Sequence, residues 1–174
     1  MGLDMYLKSL PRKEGIGFNQ TFQLEDRLNS LLKEEKENPG KRIPALDPFR
    51  PHIRKMDMID WHTITTDHGY WCKANAIHEW FVNNVQGGED ECEPHEVTFI
   101  HLYKLREVCG KVLNDHRKQA TAEQVLPTAN GFFFGGAEYD EYYYEMAKYT
   151  FKLCNDLLDS FDWDNNYLYY QSSW

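Results

Sequence analysis

Apolar and polar residues alternate with period two at the start of the chain, where Leu3, Met5 and Leu7 interleave with Asp4, Tyr6 and Lys8 until Pro11 ends the run. Successive side chains of a strand point to opposite faces, so this pattern predicts a half-buried strand over residues 3–8. The C-terminal Asn166-Tyr-Leu-Tyr-Tyr-Gln-Ser-Ser-Trp alternates too and is rich in strand formers. A strand over 167–172 is predicted to pair with the first.

Between the ends the period becomes helical. Phe22, Leu24, Leu28, Leu31 and Leu32 predict a helix over about 21–37, capped by Thr21 and stopped by Asn38-Pro-Gly. Tyr70, Ala74, Ile77, Phe81 and Val85 line one face of a predicted helix over 70–85 that Gly87 and Gly88 terminate. Val97, Ile100, Leu105, Val108 and Val112 predict another over 95–115, with Glu96 at the end its dipole favours, and Thr121 starts a short one over 121–125. The longest apolar register, from Tyr143 through Ala147, Thr150 and Cys154 to Phe161, predicts a helix over 138–161. Phe81, Leu105, Val108, Phe151, Cys154 and Leu158 are the expected core.

The predicted fold is α+β: a helical cluster with a small sheet pairing the N-terminal and C-terminal strands, in a single domain over 1–174. Residues 39–58 stand apart, because Pro39, Pro44, Pro48 and Pro51 mix with Lys41, Arg42, Arg50, Arg54 and Lys55 and predict an extended basic excursion. The word LPTANGFFFGG at 126–136 predicts a loop with an aromatic plug, its glycines turning beside something bulky.

Composition narrows the class. At 174 residues, 41% hydrophobic, 15% aromatic and 27% charged, the chain is too rich in core formers to be disordered and too interrupted by charge to cross a membrane. The net charge of −9 excludes broad phosphate neutralisation. Residues 1–58 hold 11 Lys/Arg against 9 Asp/Glu and residues 59–174 hold 8 against 19, so direct nucleic-acid contact is expected only through the basic 39–58 segment. Cys72, Cys92, Cys109 and Cys154 form no CxxC pair and follow no apolar leader, which predicts reduced thiols in a cytoplasm.

Two sets of residues carry candidate chemistry. Trp71, Asn75, His78 and Val82 form a second helical stripe beside Lys73; with Phe133, Tyr139 and Tyr142 they make a candidate small-molecule or nucleotide site, set against a polar seam satisfied internally. Glu89, Asp90 and Glu91, with Glu138, Asp140 and Glu141, make an acidic surface suited to a basic protein groove, set against a solvated face and a helix dipole that favours acids. His62, His68 and Cys72, or Cys92, His95 and His101, have no metal-ligand spacing, and neither metal nor cofactor is expected. HExxH, P-loop and GxSxG patterns are absent from the sequence, so no catalytic residue is assigned and binding is favoured over catalysis.

The words MGLDMYL (1–7), YWCKANAIHEWFVNNVQ (70–86), LPTANGFFFGGAEYDEYYYE (126–145) and YYQSSW (169–174) resemble an uncharacterised family of small proteins from phages and bacterial prophage regions. The resemblance covers roughly half of the chain. It departs from the family at Cys72, usually arginine there, and at 15–60, which reads as an extension. It implies a phage-encoded binding protein in the host cytoplasm that acts on a host protein, as an inhibitor of a nucleic-acid-handling defence enzyme such as a restriction or CRISPR enzyme. It brings no activity.

Overall fold

The computed structural model describes residues 2–12, 14–53, 60, 63–115, 118–129 and 135–174, with backbone alone at 25 and 26. In chain order the elements are β1 (Asp4–Pro11), α1 (Phe18–Glu37), a 3₁₀ helix (Pro44–His52), β2 (Thr66–Cys72), α2 (Asn75–Asn84), β3 (His95–Val97), α3 (Phe99–Asn114), α4 (Gln119–Val125), α5 (Glu141–Ser160) and β4 (Asn166–Ser173). They fall into two compact units, one of residues 1–9 and 67–174, the other of residues 10–66.

The first unit is α+β. Its sheet has the order β2-β1-β4-β3, so the two terminal strands lie side by side as their alternation predicts. Leu3, Met5 and Leu7 of β1 and Leu168 and Tyr170 of β4 are buried, with the helices contributing Phe81, Leu102, Leu105, Cys109, Ala147 and Cys154. Burying one such Leu or Phe side chain contributes about 1.5–3 kcal/mol. Val108, Phe151 and Leu158 pack against this core only partly buried, and Leu157 takes the inward place expected of Leu158.

Two predicted helices begin as strands. Residues 70–72 belong to β2, where Gly69 and Trp71 face inward and Tyr70 is 50% exposed, so Tyr70 is not core. Apolar residues on either side of the strand-to-helix turn imitate a single helical stripe. Residues 95–97 form β3, with His95 opposite Tyr170, Glu96 opposite Tyr169 and Val97 opposite Leu168. Glu96 therefore lies in a strand, and α3 starts after Thr98, whose hydroxyl accepts the His101 N–H at 3.4 Å. Ile100 is 56% exposed rather than inward.

The remaining helix starts are also displaced. Gly17, not Thr21, caps α1, and the Thr21 hydroxyl donates back to the Gly17 carbonyl at 3.1 Å. Lys118, not Thr121, precedes α4, while Thr121 donates to Asp115. At α5 the cap is Asp140, whose carboxylate accepts the Tyr143 N–H at 3.0 Å, which leaves Glu138 outside the helix.

The second unit has its own small core, in which Leu28 and Leu32 from the predicted apolar stripe of α1 pack with Leu46, a residue of the stretch that the sequence suggests is a surface excursion. Residues 44–52 are not extended: they wind as a 3₁₀ helix, a turn whose φ near −65° proline already adopts. Its basic charge is balanced at once. Arg50 donates to both Glu35 oxygens at 3.1 and 3.0 Å and to Asp47 at 2.8 Å, and Arg42 pairs with Asp47 at 3.2 Å. Hydrogen bonds from Arg50 hold both carboxyls below their usual range. Arg54 and Lys55 lie outside the described residues.

Candidate functional site

Lys73 and Ala74 join β2 to α2. Lys73 has φ 55°, the left-handed region that non-glycine residues seldom adopt, and its N–H donates to the Leu3 carbonyl at 2.7 Å. The turn sets the first residues of α2 along one wall of a cavity of about 220 Å³. Leu126, Thr128, Gly135 and Gly136 line it from the segment after α4, and Tyr142, Tyr143 and Met146 from α5. Gly135 has φ +84°, and a Cβ there would stand 3.1 Å from the Lys73 Cβ; only glycine allows this loop to close on the turn.

Hydrogen bonds tie these segments together. Asn75 is buried, donates to the Gly136 carbonyl at 2.6 Å and accepts the Ala129 N–H at 3.3 Å. Thr128 donates to the Ala137 carbonyl at 2.9 Å, and its own N–H reaches the Tyr139 hydroxyl at 3.2 Å. Tyr143 donates to the Leu126 carbonyl at 2.8 Å, and burial pushes its phenol pKa up. Nearly every such bond has a backbone partner, so the walls are built by side chains that close loops.

The tyrosines of α5 also finish the sheet. β2 is its outermost strand on one side, and Lys73 bonds toward β1, so alternation turns Tyr70 and Cys72 to the open edge. There the Tyr149 hydroxyl accepts the Tyr70 N–H at 3.3 Å and Tyr142 donates to the Cys72 carbonyl. Such edge groups otherwise template pairing with another chain. Gly69 admits this approach, since a Cβ there would lie 2.4 Å from Leu153 Cδ2.

The structure divides the sequence-predicted ligand set. Lys73, Asn75 and Tyr142 line the cavity and Tyr139 braces its wall, whereas Phe133 lies outside the described residues. Trp71 is not beside them: it sits on β2 in the core, its indole N–H donating to Thr150 at 2.8 Å. His78 is fully buried on a different face of α2, with Nδ1 at 2.6 Å from the Tyr170 hydroxyl and Nε2 at 3.1 Å from Asp90. The strand-to-helix turn at Lys73 places Trp71 out of helical register with Asn75 and His78.

The acidic set divides as well. Glu138 and Asp140 line the cavity. Asp90 is engaged by His78 and by the Trp174 indole N–H at 3.2 Å, and Glu91 by His95 at 2.7 Å, so both are held by the protein itself. All six of these acids are exposed, and Glu89 and Glu141 do not line the cavity. Sequence patterns missed Cys72, Thr128, Gly136 and Met146 as lining; the paired glycines inside the 126–136 word were the signal for close packing there.

Among the described residues, no group of three or more His, Cys, Asp or Glu side chains is placed to hold a metal ion, and no helix is long and apolar enough to cross a membrane. Cys109 and Cys154 are buried, which pushes the Cys154 thiol pKa up to about 12 and raises that of Cys109, while Cys72 and Cys92 are exposed. Comparison with family models, with curated proteins and with solved structures gives no match to this chain.

Proposed function

We propose that the first unit is a small-ligand-binding unit whose site is the cavity between the start of α2, the loop after α4 and the start of α5. The observation that carries this reading is convergence: segments more than fifty residues apart in sequence are bonded to one another around a shared space with an apolar lining and charged groups beside it. Concave, largely preformed sites with few polar groups are where small molecules are held. The reading is one of binding or sequestration and assigns no reaction.

Filling the space tests it. Met146→Trp adds bulk to a partly buried residue on the cavity wall. Native mass spectrometry after incubation with the small-molecule fraction of a bacterial extract should show an adduct on the parent protein and none on Met146→Trp, with both proteins folded by circular dichroism. An adduct retained by the filled variant contradicts this site.

A second proposal follows the phage resemblance, that an acidic surface docks on a host protein and inhibits a nucleic-acid-handling defence enzyme. It is favoured by the charge of residues 59–174 and by the exposure of Glu89 and Glu141, neither of which lines the cavity. Electrostatic docking weakens with salt. Salt-sensitive binding of a host enzyme that survives Met146→Trp and is lost on Glu89→Lys with Glu141→Lys would move the conclusion to this surface.

A further inference from the structure

Resting on the cavity as a ligand site, we infer that its ligand is a small zwitterion with an apolar body, its ammonium group held at Glu138 and Asp140 and its anionic group at Lys73. The inference comes from accounting for hydrogen-bonding capacity. The neutral polar side chains of the lining are committed: the Asn75 amide bonds Gly136 and Ala129, and the hydroxyls of Thr128, Tyr142 and Tyr143 each donate to a backbone carbonyl. An ionised carboxylate has two accepting oxygens and an ammonium three donors, so the charged groups hold most of what is left.

Lys73, Glu138 and Asp140 are exposed at the cavity rim; among the described residues the side chains of Lys73 and Glu138 make no hydrogen bond or ion pair, and Asp140 accepts the Tyr143 N–H with one oxygen. Both signs of charge thus border one cavity without neutralising each other. Ile77, Leu126 and Met146 complete the lining with apolar surface. A purely apolar ligand would gain nothing from these charges, which water would continue to solvate. A simple cation or anion would use one sign and meet repulsion from the other. A zwitterion with an apolar body satisfies both charge signs and fills the apolar part.

A matched trio of probes tests this: phenylalanine, phenethylamine, which lacks the carboxylate, and 3-phenylpropionate, which lacks the ammonium. Isothermal titration of the full chain should show phenylalanine bound more tightly than either by about tenfold or more, the effect of one charge-assisted hydrogen bond. Lys73→Asn, a residue that tolerates positive φ, should erase the preference over phenethylamine while that amine still binds. Glu138→Gln should narrow the preference over phenylpropionate. Equal binding of the three, or preference for a singly charged probe, overturns the zwitterion. Binding of none, with an extract adduct still seen on the parent protein and absent from Met146→Trp, overturns the ligand class and leaves the site standing; absence of both overturns the site as well.

Discussion

Phe81→Ala should cost about 3–5 kcal/mol of stability, the range for deleting a large aromatic side chain from a packed core. Phe81 is wholly buried and its ring stacks on Tyr170 with centroids 4.0 Å apart and planes 8° from parallel. It also meets Trp71 and Trp80 edge-on at 6.0 and 5.4 Å, so truncation opens a void bounded by three rings that cannot all close on it. Aromatic pairs add to the transfer cost of the lost surface. Urea titration followed by tryptophan fluorescence reads the loss directly, and a cost near 1 kcal/mol would mean that α2 does not seat this ring in the core.

His78→Leu should cost about 1–3 kcal/mol, because it removes the imidazole and leaves the buried Tyr170 hydroxyl without its partner. The Tyr170 hydroxyl lies 2.6 Å from Nδ1, and burial beside Asp90 raises the phenol pKa, which keeps it protonated as a donor. With the Tyr170 hydroxyl donating to Nδ1, the proton of the neutral ring sits on Nε2, 3.1 Å from an Asp90 oxygen. Each partner alone is therefore worse than the set. Tyr170→Phe combined with His78→Leu should cost less than the two single changes added together, since the double variant orphans no hydroxyl. Strict additivity in urea would show that the two groups do not interact. The same contact anchors Asp90 of the acidic loop, which closes a chain running from Tyr170 of β4 through His78 to Trp174, while Glu89 beside it stays exposed.

The alternation at both termini and the five-turn register of α5 were legible because burial on one face fixes the period directly. β2 was not, since Tyr70, Ala74, Ile77 and Phe81 are spaced as one helix would space them although a strand, a left-handed Lys73 and a helix share that stretch. Nor was β3, whose three residues are fewer than any period needs. Tyr139 and Tyr142 were assigned to a ligand site and Tyr143 to the α5 register, yet the bonds of their hydroxyls stayed hidden because the partners are backbone groups, which carry no sequence mark. The candidate site was legible in its members and not in its grouping. Lys73, Asn75 and Tyr142 were assigned to one surface and Glu138 and Asp140 to another, yet all five line one cavity. His78 looked equivalent to Asn75 on a helical wheel, and only the packing of β4 shows that it faces the sheet.

Two exposed thiols supply a measurement with its own control. Cys72 lines the cavity and Cys92 does not, while Cys109 and Cys154 are buried with raised thiol pKa values and should resist alkylation in the native state. Iodoacetamide labelling read residue by residue in a mass spectrometer, with and without the small-molecule fraction of a bacterial extract, reports whether the cavity is occupied. A ligand-binding cavity predicts that the extract slows labelling of Cys72, leaves Cys92 unchanged and loses its effect on Met146→Trp. Equal rates at Cys72 with and without extract, or equal slowing of both thiols, would contradict a ligand site at the start of α2.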